Sequence, residues 1–423
     1  MSRRTGTNRP YRALAVGAFV TCVVGGGALA LIASWGALAG PPATGSAPAR
    51  ASSSSVPAPA PAVPEIRFGV VEPPVVAQRD ITNLCLPGEG EVKDKPLECS
   101  GMGWAAGQLL LASDRHGHAV FTCPIDLETM TIGRPQRHTV IVNEQDMLDD
   151  GEALAVRTGP DGTAWVYVMC SMSNDQHELP LPKRRHLLRF RLGGGGGAPT
   201  IDQATVINAG KLRDDLNVQF EAVGITPYRC YCDEFLGADK NTYRWGNVEG
   251  IAFTPDGSRL LCGMRNPLHK GKALLLAVRN VDQALDARDP GRLEVTDLLA
   301  VNLGGRGISD LSWDARTKGY LISAAKSNGP KLDRDHPYPP NSLDSALFWW
   351  SGRKSDRPVL VATVPDMKIE AICRLGDSPY IAIGSDESDV SEGRPEPHQS
   401  VLTILEFTGT RPRGGPPKGG QAP

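Results

Sequence analysis

The chain has 423 residues, 40% of them hydrophobic and 22% charged, enough for two or three average domains or one long repeat domain. Its 45 lysines and arginines nearly balance 47 aspartates and glutamates, giving a formal net charge of −2. That balance leaves no broad positive field, so a nucleic-acid partner is excluded, and a basic run such as Lys183-Arg184-Arg185 reads as solvated loop.

In chain order, the first element is a targeting segment. Arg3, Arg4, Arg9 and Arg12 precede 28 uncharged residues, Ala13 to Gly40. About 20 apolar residues span a bilayer, and leading positive charge favours the cytoplasmic side. Residues 1–40 therefore read as a membrane-targeting helix, either a retained signal anchor, which the length favours, or a signal peptide cleaved after Ala37-Leu38-Ala39. Residues 41–64 carry one charge, Arg50, in a stretch of Pro, Ala, Ser, Gly, Thr and Val. Such a composition buries no core and spaces out at ~3.1 Å per residue, roughly 70 Å in all. The expected address is the cell envelope, periplasmic or extracellular, with the membrane as a partner through the N-terminus. The tail, 409–423, is again Pro/Gly-rich and is expected to lack structure.

Eight cysteines follow Cys22, an even number that suits an oxidising compartment. Cys85 and Cys99 flank a short polar loop and are the best local disulfide candidate. Cys170, Cys262 and Cys373 lie in apolar runs, where a buried thiol is the common outcome. Cys230-x-Cys232 has no second ligand pair to complete a zinc site.

From about Ile66 the chain alternates short apolar runs with Gly, Pro, Asp and Asn, the pattern of an all-β domain over 65–408. Val281–Leu285 is the nearest approach to a helix. A unit recurs: Gly151-Glu152-Ala153-Leu154, Val248-Glu249-Gly250-Ile251, Ile308-Ser309-Asp310-Leu311 and Ile369-Glu370-Ala371-Ile372 each lead through a turn into a second strand. Cys99–Trp104 makes an opening copy. Third strands are expected at 119–123, 186–192, 272–278, 346–350 and 401–407, with a fourth at 359–364. Glu249, Asp310 and Glu370 are spaced by 61 and 60 residues, whereas Glu152 to Glu249 is 97, room for a degenerate unit around Phe220-Glu221. Three or four antiparallel strands per unit is a propeller blade, so the fold expected is a β-propeller of about six blades, five to seven being compatible.

In a blade, the start of the first strand and the end of the second share one face of the disc. Glu152, Glu249, Asp310 and Glu370 stand at the starts. Asp114, Arg115, His116, Arg265, Asn266, Lys326 and Asp386 stand at or just past the ends. Together they form a candidate ligand-binding mouth. The competing role for each acid is structural, accepting backbone N–H bonds that tie neighbouring blades.

The elements Glu249-Gly250-Ile251-Ala252, Arg265-Asn266-Pro267, Gly305–Leu311 and Lys368–Ala371 resemble those of a family of uncharacterised bacterial propeller-like proteins. More distantly they are similar to phytase-like and esterase-like propeller domains. The resemblance covers roughly 152–407 and implies the fold; it transfers no catalytic residue. No Gly-x-Ser-x-Gly, His-Glu-x-x-His or phosphate-loop signature is present. Two functions are therefore expected: a tethered module that binds a protein, glycan or small molecule, or a metal-assisted hydrolase in which the acids hold Ca²⁺ and Arg265 or His116 stabilises developing negative charge.

Overall fold

The structure is a computed structural model that describes residues 75–80, 97–141, 143–159, 162–173, 181–193, 199–212, 215, 219, 247–266, 268–326, 345–364, 367–385 and 400–407. The targeting segment, the spacer, the tail, Cys85 and Asp386 lie outside them. Among the described residues no helix is long and apolar enough to cross a membrane.

Strand β1 (Val75–Asp80) is the first described element. Blade one follows: β2 (Cys99–Ala105), β3 (Gln108–Ser113), β4 (Ala119–Cys123), a two-residue ribbon β5 (Ile125–Asp126) and β6 (Thr131–Ile132), and β7 (Gln136–Thr139). Blade two is β8 (Gly151–Thr158), β9 (Ala164–Cys170), β10 (His186–Gly193) and β11 (Thr200–Asn208). Blade three is β12 (Asn247–Phe253), β13 (Leu260–Asn266), β14 (Ala273–Arg279) and β15 (Glu294–Val301), with one short helix, α1 (Val281–Ala287), before its last strand. Blade four is β16 (Arg306–Asp314), β17 (Gly319–Lys326), β18 (Ser345–Trp350) and β19 (Val359–Val364). Blade five takes β20 (Ile369–Arg374), β21 (Tyr380–Ser385) and β22 (Val401–Glu406) from the C-terminal part of the chain, and β1 from the N-terminal part.

Each blade is a four-stranded antiparallel sheet, and the five innermost strands β2, β8, β12, β16 and β20 neighbour one another in a closed ring. This is a five-bladed β-propeller, at the lower bound of the range expected. The degenerate unit foreseen around 220–223 is corrected: those residues lie outside the described set, and β8 packs directly on β12, so no blade intervenes. Within the 97-residue interval from Glu152 to Glu249 the described strands are those of blade two. The ring closes by pairing β1 with β22, Gln78 opposite Thr403, so that the buried strand β22 is covered and β1 forms the outer edge of blade five.

The core lies between blades. Met102, Leu109, Leu111 and Phe121 of blade one pack with Ala371, Cys373, Ala382 and Ile404 of blade five in one buried cluster. Blade hairpins turn where the sequence offers turn chemistry. In Thr254–Arg259 the Gly257 N–H donates to the Thr254 carbonyl at 2.7 Å, and Gly257 takes φ +68°, a region that glycine enters without a Cβ clash. Cys99, Cys123, Cys170, Cys262 and Cys373 are buried, and no disulfide joins any two of these described cysteines.

Candidate functional site

All five innermost strands break register at the same place. Ser100, Glu152, Glu249, Ser309 and Glu370 are each the extra residue between two paired neighbours, as in Val248 opposite Met264 followed by Gly250 opposite Gly263. A bulge aims its extra side chain away from the ladder. Here the bulges of blades three and five bring Glu249 and Glu370 onto one guanidinium, that of Arg265.

The residue after each bulge sits where the strands crowd together: Gly101, Ala153, Gly250, Asp310 and Ala371. A Cβ on Gly250 would lie 2.5 Å from the Leu311 nitrogen, and one on Gly101 would lie 2.6 Å from the Leu154 nitrogen. Only Asp310 carries a long group there. Its Oδ1 accepts the Leu311 N–H at 2.7 Å and its Oδ2 accepts the Ile372 N–H of the next blade at 2.8 Å. The Met102 N–H of blade one also bonds to it. Burial pushes this carboxyl well up, against those three N–H groups. Asp310 is therefore a buried staple that ties blade four to blades five and one. In the register it is Ser309, not Asp310, that occupies the position of Glu249.

The bulge ring itself carries three glutamates. Arg265 is a second kind of bulge, the extra residue on β13 between Asn266 and Met264. Its Nη2 lies 2.8 Å from Glu249 Oε2 and also pairs with Glu370 Oε2. Asn247 donates to the other Glu249 oxygen, and Lys368 Nζ lies 3.0 Å from Glu370 Oε1. Glu249 and Glu370 are 1% and 4% exposed, Arg265 6%. Burial raises the Glu249 carboxyl to about 7; Arg265 opposes that and Asp150 adds to it.

Glu152 differs from its two counterparts. It is half-buried, reached by solvent, and among the described residues no side chain or backbone group bonds or ion-pairs to it. Burial raises its carboxyl well above the usual range, and the charges of Glu249, Asp150 and Asp114 push the same way. Asp114 follows the same logic, raised to about 9 by burial and by a hydrogen bond to Glu98. Glu98 in turn accepts from Arg115 Nε at 2.5 Å. Asp150 accepts from Ser171 and from Ser173 (3.0 Å), and pairs with Arg184 at 3.2 Å, so the basic run is not simply solvated.

Of the residues read from the sequence, Glu152, Glu249, Glu370, Arg265 and Asp114 come together, and Arg115 reaches them through Glu98. Asn266 pairs with Asn247 at the rim. His116 is buried, with its ring edge-on to Phe121 at 5.1 Å. Lys326 ends β17 opposite Arg306, its side chain outside the described residues along with Asp386. Sequence reasoning passed over Glu98, Asp150, Asn247 and Lys368 as site residues. Each stands two positions before a bulge, a spacing visible only once the four known units are aligned with Cys99–Trp104. The fifth such position is Gly307, where a Cβ would meet the Arg265 carbonyl at 2.1 Å.

Calcium fits poorly. Among the described residues no three His, Cys, Asp or Glu side chains converge to hold a metal ion. The guanidinium of Arg265 already stands between Glu249 and Glu370.

The fold and the ring define the protein's class as a five-bladed β-propeller with a bulge-lined mouth. No protein-family profile and no curated protein matches the chain. Among solved structures it is similar to a GH43 β-1,3-galactosidase bound to galactodeoxynojirimycin, at 9% identity and TM-score 0.39, covering 77% of this chain and 94% of that one. It is also similar to Pseudomonas fluorescens PhoX in complex with vanadate (13%, TM-score 0.33, 70% and 58% covered). A third is the β-propeller domain of Myceliophteria thermophila Cps50 (12%, TM-score 0.28, 75% and 85% covered). Likenesses this distant do not bear on activity.

Proposed function

We propose that this protein is a ligand-binding propeller, held at the cell envelope by residues 1–64, that recognises its ligand at the bulge-ring mouth. One observation carries the reading. Three bulges carry glutamates; two ion-pair with Arg265, and the third, Glu152, is half-buried, makes no hydrogen bond or ion pair among the described residues, and meets Arg265 only through its charge. Leaving a half-buried carboxylate unpaired beside three other acids is costly, which favours a role outside the folded chain. The charge-free segment 13–40 and the Pro/Ala/Ser spacer support the envelope address.

Metal-assisted hydrolysis is the weaker alternative, because Asp310 is tied to backbone N–H groups and Glu249 and Glu370 to Arg265. The test is a screen of a chain beginning at Glu65 against glycan and small-molecule panels by ligand-observed NMR, repeated on Glu152→Gln and Glu249→Gln. Hits that weaken in either variant support the mouth. Hits that bind all three proteins equally put recognition elsewhere, and stoichiometric calcium in the purified protein would restore the hydrolytic reading.

A further inference from the structure

Strand register fixes the face at which the N-terminal chain enters the propeller. In blade five Asp80 pairs with Val401, Val401 with Ser385 and Ser385 with Ile369, so β1 ends level with the start of the innermost strand, on the mouth side. Val75 pairs with Leu405, Leu405 with Ile381 and Ile381 with Arg374, so β1 begins level with the end of that strand. The segment that precedes Val75 therefore joins the propeller at the face opposite the mouth.

That far face is unevenly charged. Blade four turns there twice, through 315–318 between β16 and β17 and through 351–358 between β18 and β19. The turns are neighbours, since a Cβ on Gly352 would lie 2.7 Å from the ring of Tyr320, the second residue of β17. Arg316, Lys318, Arg353, Lys354 and Arg357 stand exposed on them. Fewer acids face these cations. Asp314 is buried and paired with Arg374 of blade five at 2.6 Å, Asp356 lies beside Arg353 and accepts from Ser351 and Ser355, and Asp297 meets Lys354 at 3.4 Å. Arg316 donates to the Asp377 carbonyl at 2.8 Å, which ties the patch to blade five, where Asp377 adds one exposed carboxyl. Blade three, at the same face, pairs Arg279 with Glu294 and Arg292 with Asp289. A second, independent feature borders the blade-four turns. Leu360, the second residue of β19, is 38% exposed and is the one exposed large apolar side chain among the described residues.

Exposed cations beside an exposed leucine, on the face from which the N-terminal segment leaves, suit an anionic lipid surface. Its phosphates attract Lys and Arg, and its acyl boundary takes an apolar side chain. Resting on the envelope address proposed above, we propose that the blade-four turns dock on anionic phospholipid headgroups, which turns the mouth away from the bilayer. The tether strengthens a contact that is weak by itself, because it holds the patch at high local concentration near the membrane. Since the cations are exposed, the contact weakens as salt rises.

Vesicle flotation tests this on the full chain and on a chain beginning at Glu65, which keeps almost all of the compact unit 61–423. The probes are vesicles of phosphatidylcholine alone and of phosphatidylcholine with phosphatidylglycerol. The full chain is expected to float with both, through residues 13–40. The shorter chain is expected to float only with phosphatidylglycerol and to be released by salt. Reversing three charges together, Lys318→Glu, Arg353→Glu and Arg357→Glu, should lower its bound fraction at least about tenfold. Leu360→Ser should lower it by a smaller factor. Lys272→Glu, an exposed change of the same sign beside the start of β14 on the mouth side, should leave it unchanged. Equal melting temperatures across the set show that losses are not unfolding. Equal flotation of the shorter chain with both lipids, or flotation that survives the triple reversal, overturns the docking surface. So does its failure to float with either lipid, and in that case a full chain that still floats leaves the envelope address standing. A full chain that does not float with phosphatidylcholine, beside a shorter one that floats with phosphatidylglycerol, overturns the anchor and spares the patch.

Discussion

Arg265 of blade three reaches Glu370 of blade five and passes blade four on the way, with Glu249 held by the same nitrogen. The blade it passes carries Ser309 at the bulge, where blades two, three and five carry glutamate, and Gly307 two positions earlier. One guanidinium thus joins two non-adjacent blades, and the local sequence of the blade between them leaves room for it.

Removing that guanidinium strands two buried carboxylates. Arg265→Gln is expected to cost about 3–5 kcal/mol at pH 8, the usual penalty for breaking a buried pair from one side. Arg265→Lys keeps the charge, yet a single ammonium lacks the planar fork that grips two carboxylates, so an intermediate loss is expected. Urea denaturation of both variants checks this; a loss below 1 kcal/mol for Arg265→Gln would mean the bridge is not formed in solution.

Asp310 should behave as structure and not as site. Asp310→Ala leaves the N–H groups of Leu311, Ile372 and Met102 without an acceptor, at a cost of about 3 kcal/mol or more. Asp310→Asn keeps one acceptor and sets its amide against a backbone donor, and should still lose about 1–3 kcal/mol. Ligand affinity of the folded fraction should not change. A tenfold affinity loss in Asp310→Asn with unchanged stability would return this residue to the mouth.

Stability should fall as pH rises through the neutral range. Glu249 holds its proton to about 7 when folded and releases it near 4.5 when unfolded. Below 4.5 both states are protonated and the contribution is full. Between 4.5 and 7 only the folded state keeps the proton, so raising the pH favours unfolding; above 7 both are ionised and the loss is complete. The size is about 3 kcal/mol. Asp114, raised to about 9, extends the decline on the alkaline side. Glu249→Gln should remove the acid part of the slope, so wild type and variant compared by denaturation at pH 4.5 and pH 8 should differ by that amount. Parallel pH profiles would show that Glu249 is not elevated.

Closure by the N-terminal strand sets where the chain can be shortened. A chain beginning at Glu65 keeps β1 and should give a monomer with a β-dominated circular dichroism spectrum. A chain beginning after Asp80 loses the partner of β22 and exposes a bare edge. It should unfold at lower denaturant and associate at concentrations where the longer chain stays monomeric. Equal stability of the two would show that β1 does not close the ring.

The buried thiols should be inert while the protein is folded. Burial pushes Cys170 and Cys373 well up and Cys262 to about 12, and the thiolate is the species that reacts. Iodoacetamide under native conditions should leave all three unmodified by mass spectrometry, with reaction only after denaturation. Native labelling at Cys262 would mean that β13 opens far more often than its place in blade three allows.

What the amino-acid order determined by itself is local. Alternation of short apolar runs with turn residues placed β8, β12, β16 and β20, and the third strands at 119–123 and 186–192, within a residue or two, because strand and turn signals depend on neighbours in the chain. The same locality made Glu152, Glu249 and Glu370 legible as one repeated position. Blade number was not local. It depended on whether the 97-residue interval held a further sheet, and only the packing of β8 on β12 decides that. The roles of the acids were not local either. A one-residue bulge offset moves Asp310 off the register of Glu249 and onto backbone N–H groups of two other blades, and ring packing sends His116 into the core against Phe121. That Arg265 also meets Glu370, 105 positions away, is settled only when the ring closes.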